Sequence, residues 1–338
     1  MVRRALVALV ALVTLVTLVL AGWLWSVLVT VAPNTQPGDL VALASHAGPP
    51  TGSIAWKSQH GARITLLLLA KGGSEAEDAN LTDTILLLSV GGAGRPVIVS
   101  LPRWLSVSIP APARGEISGQ LYTAYELGAH RDDPHLSSRW RTPTGGGDLA
   151  AATVSELTGQ RIDGWAVIDI DAFPPLVDAL GGIWVTVPVA LDDPRYPLDD
   201  SGQTMHIHFD PGLQWMSGEQ ALQYARSRLS TSDSDRSSRQ EVVLTAILHR
   251  LTSLQLGPGM LRLAAALQDG VKTNLRPTDM REMVGLFSHV WLQDTRRVTI
   301  DDSNFLRKEE ISGGAYILLP RDGTYSALRT YLAEELAG

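Results

Sequence analysis

The chain has 338 residues, of which 45% are hydrophobic, so it can bury the core of one large domain or of two small ones. Its net charge of −7 argues against general nucleic-acid binding, which requires a basic surface. Because the chain contains no cysteine, disulfide bonds, thiol catalysis and cysteine-ligated metals are excluded.

An uncharged apolar segment near the N-terminus predicts one transmembrane helix. Residues 5–32 are mostly Leu, Val and Ala, and this length exceeds the roughly 20 residues that a helix needs to cross a bilayer. Arg3 and Arg4 precede the segment, so the positive-inside rule places residues 1–4 in the cytoplasm and the rest of the chain outside. A cleaved signal peptide is the alternative, but its apolar region is normally only about 7–15 residues long. We therefore expect a single-pass protein of the cytoplasmic membrane.

The rest of the chain divides into a spacer and a folded domain. Residues 33–60 are rich in Pro, Gly, Ser and Ala, which is typical of a juxtamembrane linker. In residues 61–338, short apolar runs that resemble buried strands alternate with helical patterns. This alternation predicts an α/β fold, a three-layer α-β-α sandwich around a mixed β-sheet that follows the N-terminal transmembrane helix. The expected strands cover 64–69, 84–90, 96–101, 164–170, 184–187, 205–209, 297–300 and 315–319, and the expected helices cover 119–127, 147–157, 172–180, 260–267, 278–292 and 325–336.

Polar residues in the middle of the chain are expected to have structural roles. His206 and His208 alternate along one predicted strand, which permits metal ligation, but no third ligand stands at a recognisable spacing. We therefore interpret them as partly exposed strand histidines. Asp192 and Asp193 lie in a polar segment that contains proline, and this pattern predicts a solvated loop.

The segment from Ser217 to Gln240 gathers arginines around a predicted helix–loop–helix. Ser217 and Gln220 form a capping-box pattern that begins the first helix, and Asp233 or Asp235 can cap the second. Guanidinium groups beside the unpaired N–H groups of a helix N-terminus make a site for a multiply charged phosphate. An exposed surface with weak ion pairs between arginine and aspartate is the alternative interpretation. The arginines of this segment are Arg226, Arg228, Arg236 and Arg239.

Six segments of the chain occur in an order that is more specific than any one of them. They are TDTILLLSV (82–90), VSLPRWLSVSIP (99–110), LYTAYELG (121–128), FPPLVDALGGIWVTVP (173–188), FDPGLQWMSGEQALQYARSR (209–228) and RSSRQEVVLTAIL (236–248). In this order the segments resemble the LytR-CpsA-Psr family. The resemblance covers most of the chain between about residues 63 and 250 and continues more loosely to the end.

The resemblance implies a membrane-anchored phosphotransferase outside the cytoplasmic membrane. Such an enzyme transfers a glycopolymer from a polyprenyl pyrophosphate carrier, whose lipid occupies an apolar tunnel, to peptidoglycan or another envelope acceptor. A pyrophosphate requires charge neutralisation, which arginines and carboxylate-held Mg²⁺, or alternatively Mn²⁺, can provide. The resemblance assigns Asp83 as metal ligand or catalytic base, and it assigns Arg103, the second residue expected to be catalytic, as an arginine that binds the pyrophosphate. The residues expected to bind the substrate are Arg226, Arg228, Arg236, Arg239 and Gln240.

Four positions depart from the family pattern at the metal end of the predicted site. Leu81 stands where an arginine is usual, and the segment 70–72, Ala-Lys-Gly, replaces a G-x-D pattern. Trp104 occupies the position of a common aspartate, and Tyr122 that of a common asparagine. The rival hypothesis is therefore a non-catalytic polyprenyl-phosphate-binding or regulatory module of the envelope, and an anchored scaffold that binds no lipid is a third. Further acidic residues that could assist the metal are Glu75, Glu77 and Asp78.

Overall fold

The computed structural model of the protein describes residues 49–72, 80–198, 203–227, 233–252, 270–276, 278–280, 282–283, 286, 295–311 and 316–336. The predicted anchor and most of the predicted spacer, residues 1–48, lie outside these ranges, as do Glu75, Glu77, Asp78 and the helix expected at 260–267. Within the described ranges, no helix combines the length and the apolar composition that crossing a membrane requires.

Strands and helices alternate along the described chain. The strands are β1 (Ile64–Lys71), β2 (Thr82–Val90), β3 (Val97–Ser100), β4 (Ser106–Ile109), β5 (Ile117–Gln120), β6 (Gly164–Asp169), β7 (Ile183–Val187), β8 (Leu191–Pro197), β9 (Thr204–Phe209), β10 (Gly212–Met216), β11 (Val271–Thr273), β12 (Arg296–Thr299), β13 (Leu306–Glu310) and β14 (Tyr316–Pro320). The helices are α1 (Ile54–Gln59), α2 (Ala124–Ala129), α3 (Gly145–Thr158), α4 (Phe173–Ala179), α5 (Gly218–Arg226), α6 (Asp233–Thr252) and α7 (Ser326–Leu336).

A six-stranded mixed sheet forms the centre of the fold, with the strand order β11-β6-β1-β2-β3-β12. Strand β1 pairs antiparallel with β2 and parallel with β6, while β3 pairs antiparallel with β2 and parallel with β12. Strand β11 pairs antiparallel with β6 at one edge. The predicted mixed α/β arrangement around a central sheet is therefore confirmed.

The core lies on both faces of this sheet because successive strand residues point to opposite sides. On β1, Leu67 and Leu69 belong to a cluster that includes residues of α2, α3 and α7. Ile64 and Leu66 belong to a second cluster, to which Ile54 of α1 contributes and against which α6 packs. Helices therefore contribute to the core on both sides of the sheet.

A third cluster joins the smaller strand pairs to the main sheet. It contains residues of the β7–β10 and β8–β9 pairs together with α4, α5 and α6. Val243 and Ile247 of α6 lie in this cluster, whereas Leu244 packs against the cluster beneath the central sheet. The part of α6 from Val243 to Ile247 therefore lies where the two clusters meet.

The buried leucines of β2 give a direct test of this core. Replacing Leu87, which is 0% exposed, by alanine removes apolar contacts and leaves a cavity. We expect the free energy of unfolding to fall by about 2–5 kcal/mol. The control is Leu198→Ala, whose parent side chain is 53% exposed, and it should cost less than about 0.5 kcal/mol. Urea denaturation measures both values, and equal small losses would contradict the placement of Leu87.

Candidate functional site

Asp83 and Arg103, the two residues expected to be catalytic, form an ion pair next to the central sheet. The Arg103 Nη1 group donates to Asp83 Oδ1, and the two side chains are 21% and 45% exposed, respectively. The guanidinium lies 4.7 Å from the centre of the Trp104 ring. Its Nε atom is buried and has no hydrogen-bond partner among the described residues. The pair therefore holds a half-exposed carboxylate in a fixed position.

An irregularity in the β1–β2 ladder explains why the Asp83 side chain is available. Ala70 pairs with Thr84 and Lys71 pairs with Thr82, so Asp83 has no partner in the ladder at this point. Such bulges release one residue from regular pairing and redirect its side chain, often beside functional sites. The bulge also places Lys71 next to Asp83 at the same end of the hairpin.

Asp83 lies on the boundary of two cavities. The aromatic cavity, of about 320 Å³, is bordered by Arg103, Trp104 and Tyr316 as well as Asp83. The basic cavity has a volume of about 220 Å³ and lies on the other side of Asp83. Asp83, Thr84 and Gln240 border both cavities. The lining of the basic cavity is Ala70, Lys71, Asp83, Thr84, Ile170, Asp193, Arg195, Tyr196, Pro197, Arg226 and Gln240.

Cationic side chains outnumber carboxylates by three to two in the lining of the basic cavity, where Asp83 and Asp193 are the acidic residues. Lys71, Arg195 and Arg226 line it, and Lys71 forms an ion pair with Asp169 of β6. Asp193 also lines the cavity, but it is only 1% exposed, and it accepts hydrogen bonds from Ser227 Oγ at 2.7 Å and Arg195 N at 3.0 Å. The cavity therefore suits an anionic ligand.

The prediction of a solvated loop around Asp193 was wrong. Asp193 lies in β8 and pairs with Ile207 of β9, beside a bulge that accommodates Pro194. The proline favoured the loop interpretation because proline is unusual inside a strand, but bulges and edge strands tolerate it. Sequence reasoning also missed Lys71 and Arg195 as lining residues.

An apolar cleft opens beside the basic cavity. Thr84, Arg226 and Gln240 line both the cleft and the basic cavity. Along α6, Gln240 is followed by the lining residues Val243, Leu244 and Ile247. The cleft therefore extends along this helix, and Gln240 marks its polar end. Its free volume of about 90 Å³ is well below the roughly 300–1,000 Å³ of typical ligand pockets, so a long apolar ligand requires the walls to move apart. The remaining lining residues are Leu68, Leu69, Ala70, Leu86, Ile168, Ile170, Phe173, Leu222 and Ala225.

The two helices predicted for the arginine-rich segment are present as α5 and α6, and Ser217 and Gln220 make both hydrogen bonds of the capping box. Arg226 and Gln240, two of the residues predicted to bind the substrate, line the basic cavity. Arg228 and the side chain of Arg236 lie outside the described residues.

Arg239 lies in a different environment from its neighbour Gln240. It is 7% exposed, and it donates from Nε to the carbonyl oxygen of Tyr224 at 2.9 Å and from Nη2 to that of Ser227. Arg239 is not among the residues that line the cavities or the cleft. These contacts favour a role in holding the C-terminal end of α5 against α6, rather than the expected contact with substrate.

The four departures from the family pattern form two contacting pairs. The Trp104 and Tyr122 rings meet edge to face at 5.0 Å, and Tyr122 N donates to the Arg103 carbonyl at 3.2 Å. Gly72 N donates to the carbonyl oxygen of Leu81 at 3.1 Å. Two of the four residues thus form an aromatic contact beside Arg103, and the other two close the β1–β2 hairpin beside Lys71.

The donor set around Asp83 fits only one mode of metal binding. No group of three or more His, Asp or Glu side chains is placed to hold a metal within the part of the chain that the structure describes. Mg²⁺ frequently binds through one or two carboxylates and completes its coordination with water and substrate phosphates. Asp83 fits this mode as a single protein ligand.

His206 and His208 lie on the exposed side of β9, as the sequence predicts, and contact Asp192 rather than the cavities. Their distances to Asp192 Oδ1 are 2.7 Å and 3.0 Å, respectively. These hydrogen bonds hold the pKa of the Asp192 carboxyl below its usual range. Hydrogen bonds to Asp192 and Asp210 raise the pKa of His208.

Comparison with known proteins gives matches over most of the chain. The model of the LytR_cpsA_psr family matches residues 45–333. The polyisoprenyl-teichoic acid–peptidoglycan teichoic acid transferase TagV of Bacillus subtilis (strain 168) is 30% identical over 146 residues, which are 43% of this chain and 36% of that protein. The match thus spans about a third of the length of this curated relative.

Solved structures share the fold. The crystal structure of B. subtilis TagV has a TM-score of 0.60 at 22% identity and covers 81% of this chain and 97% of the TagV chain. TagT bound to LIIa-WTA has a TM-score of 0.59 at 22% identity, with coverage of 82% and 91%. At this level of identity the likeness shows the fold alone.

The position of Arg239 predicts a loss of stability when its donors are removed. Arg239→Gln leaves buried carbonyl groups with fewer partners, and we expect the free energy of unfolding to fall by about 1.5–3 kcal/mol. Arg131→Gln, at an exposed arginine, is the control and should stay within about 0.5 kcal/mol of the wild type. Denaturant titration measures both. Unchanged stability of Arg239→Gln together with a large loss of ligand affinity would instead support the substrate-binding role.

Proposed function

The chain belongs to the LytR-CpsA-Psr family, and we propose that it transfers a glycopolymer from a polyprenyl pyrophosphate carrier to peptidoglycan or another envelope acceptor. The observation that carries this proposal is the meeting of the two cavities and the apolar cleft at Thr84 and Gln240. A polyprenyl pyrophosphate has the same division into an anionic head and an apolar tail. The printed name of the relative TagV, a transferase that acts between polyisoprenyl-teichoic acid and peptidoglycan, supports the same class of reaction.

In this proposal the pyrophosphate occupies the basic cavity. Arg226 and Gln240 contact its oxygens, and Lys71 and Arg195 add positive charge to the same wall. Arg228 and Arg236 remain predicted ligands. The polyprenyl chain extends from this head along α6, where the cleft must widen to admit it.

The proposed reaction is a displacement at phosphorus. An acceptor hydroxyl attacks the phosphorus atom that carries the glycan, a new P–O bond forms, and the bond to the bridging oxygen breaks. Polyprenyl monophosphate leaves, and the glycan becomes joined to the acceptor by a phosphodiester. The cations of the basic cavity neutralise the negative charge that accumulates on the leaving phosphate.

Asp83 is the proposed acceptor of the hydroxyl proton. The ion pair with Arg103 positions its carboxylate at the border between the aromatic and basic cavities, where acceptor and donor would meet. Alternatively, Asp83 is the protein ligand of Mg²⁺ or Mn²⁺. A bound ion would supply additional charge neutralisation at the phosphates.

The proposed location is outside the cytoplasmic membrane, with residues 5–32 as the anchor and the N-terminus inside. This arrangement places the domain on the side of the membrane where the envelope acceptor lies.

A second candidate function is binding of polyprenyl phosphate without turnover. The two contacting pairs, Trp104 with Tyr122 and Leu81 with Gly72, motivate it because they flank Asp83. Each pair replaces polar groups that the family usually provides. The basic cavity and the cleft are compatible with either function.

Transfer assays on the full-length protein separate the two functions. With a polyprenyl pyrophosphate-linked glycan, an acceptor glycan and Mg²⁺, we expect release of polyprenyl phosphate that Asp83→Asn slows by about 10²-fold or more. If Asp83 is the base, donor affinity should change little, because Asp83 is not one of the cationic side chains of the cavity. A fall in donor affinity that depends on Mg²⁺ would instead identify Asp83 as the metal ligand. Asp322→Asn, at an exposed aspartate, is the matched control. Binding without turnover by the wild type, with either Mg²⁺ or Mn²⁺, would support the non-catalytic function.

Arg226 provides a separate test of the donor site. Arg226→Gln removes a cation from the wall shared by the basic cavity and the cleft, and it should weaken binding of polyprenyl pyrophosphate by about 1.5–3 kcal/mol, or about 10- to 150-fold. Isothermal titration calorimetry measures the affinity, with Arg131→Gln as the control. An unchanged affinity would remove Arg226 from the donor site.

A further inference from the structure

Two tryptophans and a leucine lie exposed on one face of the strand pair β7–β10. Trp184 is 61% exposed, Leu213 65% and Trp215 49%. Trp184 lies directly opposite Trp215 in the ladder, and Leu213 lies opposite Thr186, so these side chains share one face. The alternate residues of β7 are buried in the third cluster. We refer to Trp184, Leu213 and Trp215 as the tryptophan face.

The backbone beneath this face is shaped to seat one of the indoles. Trp215 Nε1 donates to the carbonyl oxygen of Gly181 at 3.3 Å. A Cβ atom at Gly182 would lie 2.5 Å from the Trp215 ring, and the φ of Gly182 is +81°, which a side chain would strain. The Trp215 ring is therefore held in place while about half of it remains open to solvent.

The composition around the tryptophan face favours a lipid bilayer over a carbohydrate. Strands β7 (IWVTV) and β10 (GLQWM) contain no charged residue. A carbohydrate platform combines aromatic rings with several polar groups that bind hydroxyls, but Thr186 is the polar residue on this face and Gln214 is bonded to the carbonyl oxygen of Asp210. Uncharged surfaces rich in tryptophan are typical of the boundary between a membrane and water.

Helix α6 connects this face with the apolar cleft. Ile247 lines the cleft, and three residues later Arg250 Nε donates to the carbonyl oxygen of Leu180 at 2.7 Å. The neighbouring Gly181 accepts the hydrogen bond from Trp215. The end of the cleft that is remote from Gln240 therefore lies about one helical turn from the support of the tryptophan face.

We propose that the tryptophan face docks on the interfacial region of a lipid bilayer. In this position the apolar end of the cleft faces the membrane, so that a lipid tail can pass from the bilayer into the cleft without crossing water. The purpose of the contact rests on the proposed function, because that function requires a lipid-linked donor. The contact itself involves no chemistry and can be measured with no donor present.

Site-specific labelling tests the contact in the full-length protein. Because the chain contains no cysteine, Leu213→Cys introduces a single site for an environment-sensitive fluorophore. The labelled protein is reconstituted into phosphatidylethanolamine–phosphatidylglycerol vesicles, part of whose lipids carry a spin label near the headgroup end of the acyl chain. The control is the same fluorophore at Ile311→Cys, whose parent residue is 42% exposed beyond β13. We expect at least about twofold stronger quenching at position 213 than at position 311.

A second variant separates membrane contact from mere proximity to the vesicle. Adding Trp184→Gln to the labelled Leu213→Cys protein should lower quenching to the level of the Ile311→Cys control. Circular dichroism verifies that the fold is intact. Equal quenching at the two labelled positions would overturn the proposal. The proposal would also be overturned if the fluorescence at position 213 were unchanged by lipid vesicles but changed on addition of soluble peptidoglycan fragments, because the tryptophan face would then bind a glycan.

The two proposals fail in different ways. If the protein shows the bilayer contact but does not transfer glycan, the proposed docking surface is supported and the proposed enzymatic function is overturned. A protein that transfers glycan but shows no stronger quenching at position 213 than at position 311 would support the proposed enzymatic function and overturn the proposed bilayer contact.

Discussion

The pairing of β1 with β2 positions the groups around Asp83. Leu67 and Leu87 lie opposite each other in this ladder and are both 0% exposed. A slip of one residue would reverse the direction of every side chain on the strand, so that Leu67 and Leu87 would leave the cluster in which they pack and face the cluster on the other side of the sheet. Burial of the leucines therefore fixes the register, and the register brings the bulge, Asp83 and Lys71 to the same end of the hairpin.

A buried arginine supports the opposite wall of the site. Arg239 joins the start of α6 to the end of α5 through the carbonyl groups of Tyr224 and Ser227, and Ser227 in turn donates to Asp193. A guanidinium can serve several carbonyl groups at once because its donors lie in a fixed plane. The cavity residues that adjoin these anchors in the chain, Arg226 and Gln240, are thereby held close to the bulge.

The juxtaposition of polar and apolar walls determines what kind of ligand the site suits. A purely anionic ligand would leave the cleft along α6 unfilled, and a purely apolar ligand would make no contact with the guanidinium groups of Arg195 and Arg226 in the basic cavity. Trp104, which Tyr122 contacts edge to face, adds an aromatic ring to the wall of the neighbouring cavity, while Lys71 adds charge on the other side of Asp83. The departures from the family pattern thus alter the two sides of Asp83 differently and leave the apolar cleft in place.

The sequence by itself determined the features that depend on local periodicity, which are the central strands, the capping box at Ser217 and the two helices of the arginine-rich segment, and it also carried the family resemblance. Tertiary packing decided which neighbouring residue reaches the site. Arg239 and Gln240 differ in direction by about 100° around α6, so one is buried against α5 while the other faces the cavities. The burial of Asp193 could likewise not be predicted from local sequence, because its hydrogen-bond partner Ser227 lies 34 residues away in the chain. Periodicity records which residues avoid water, but only the packing of distant segments decides which polar groups meet.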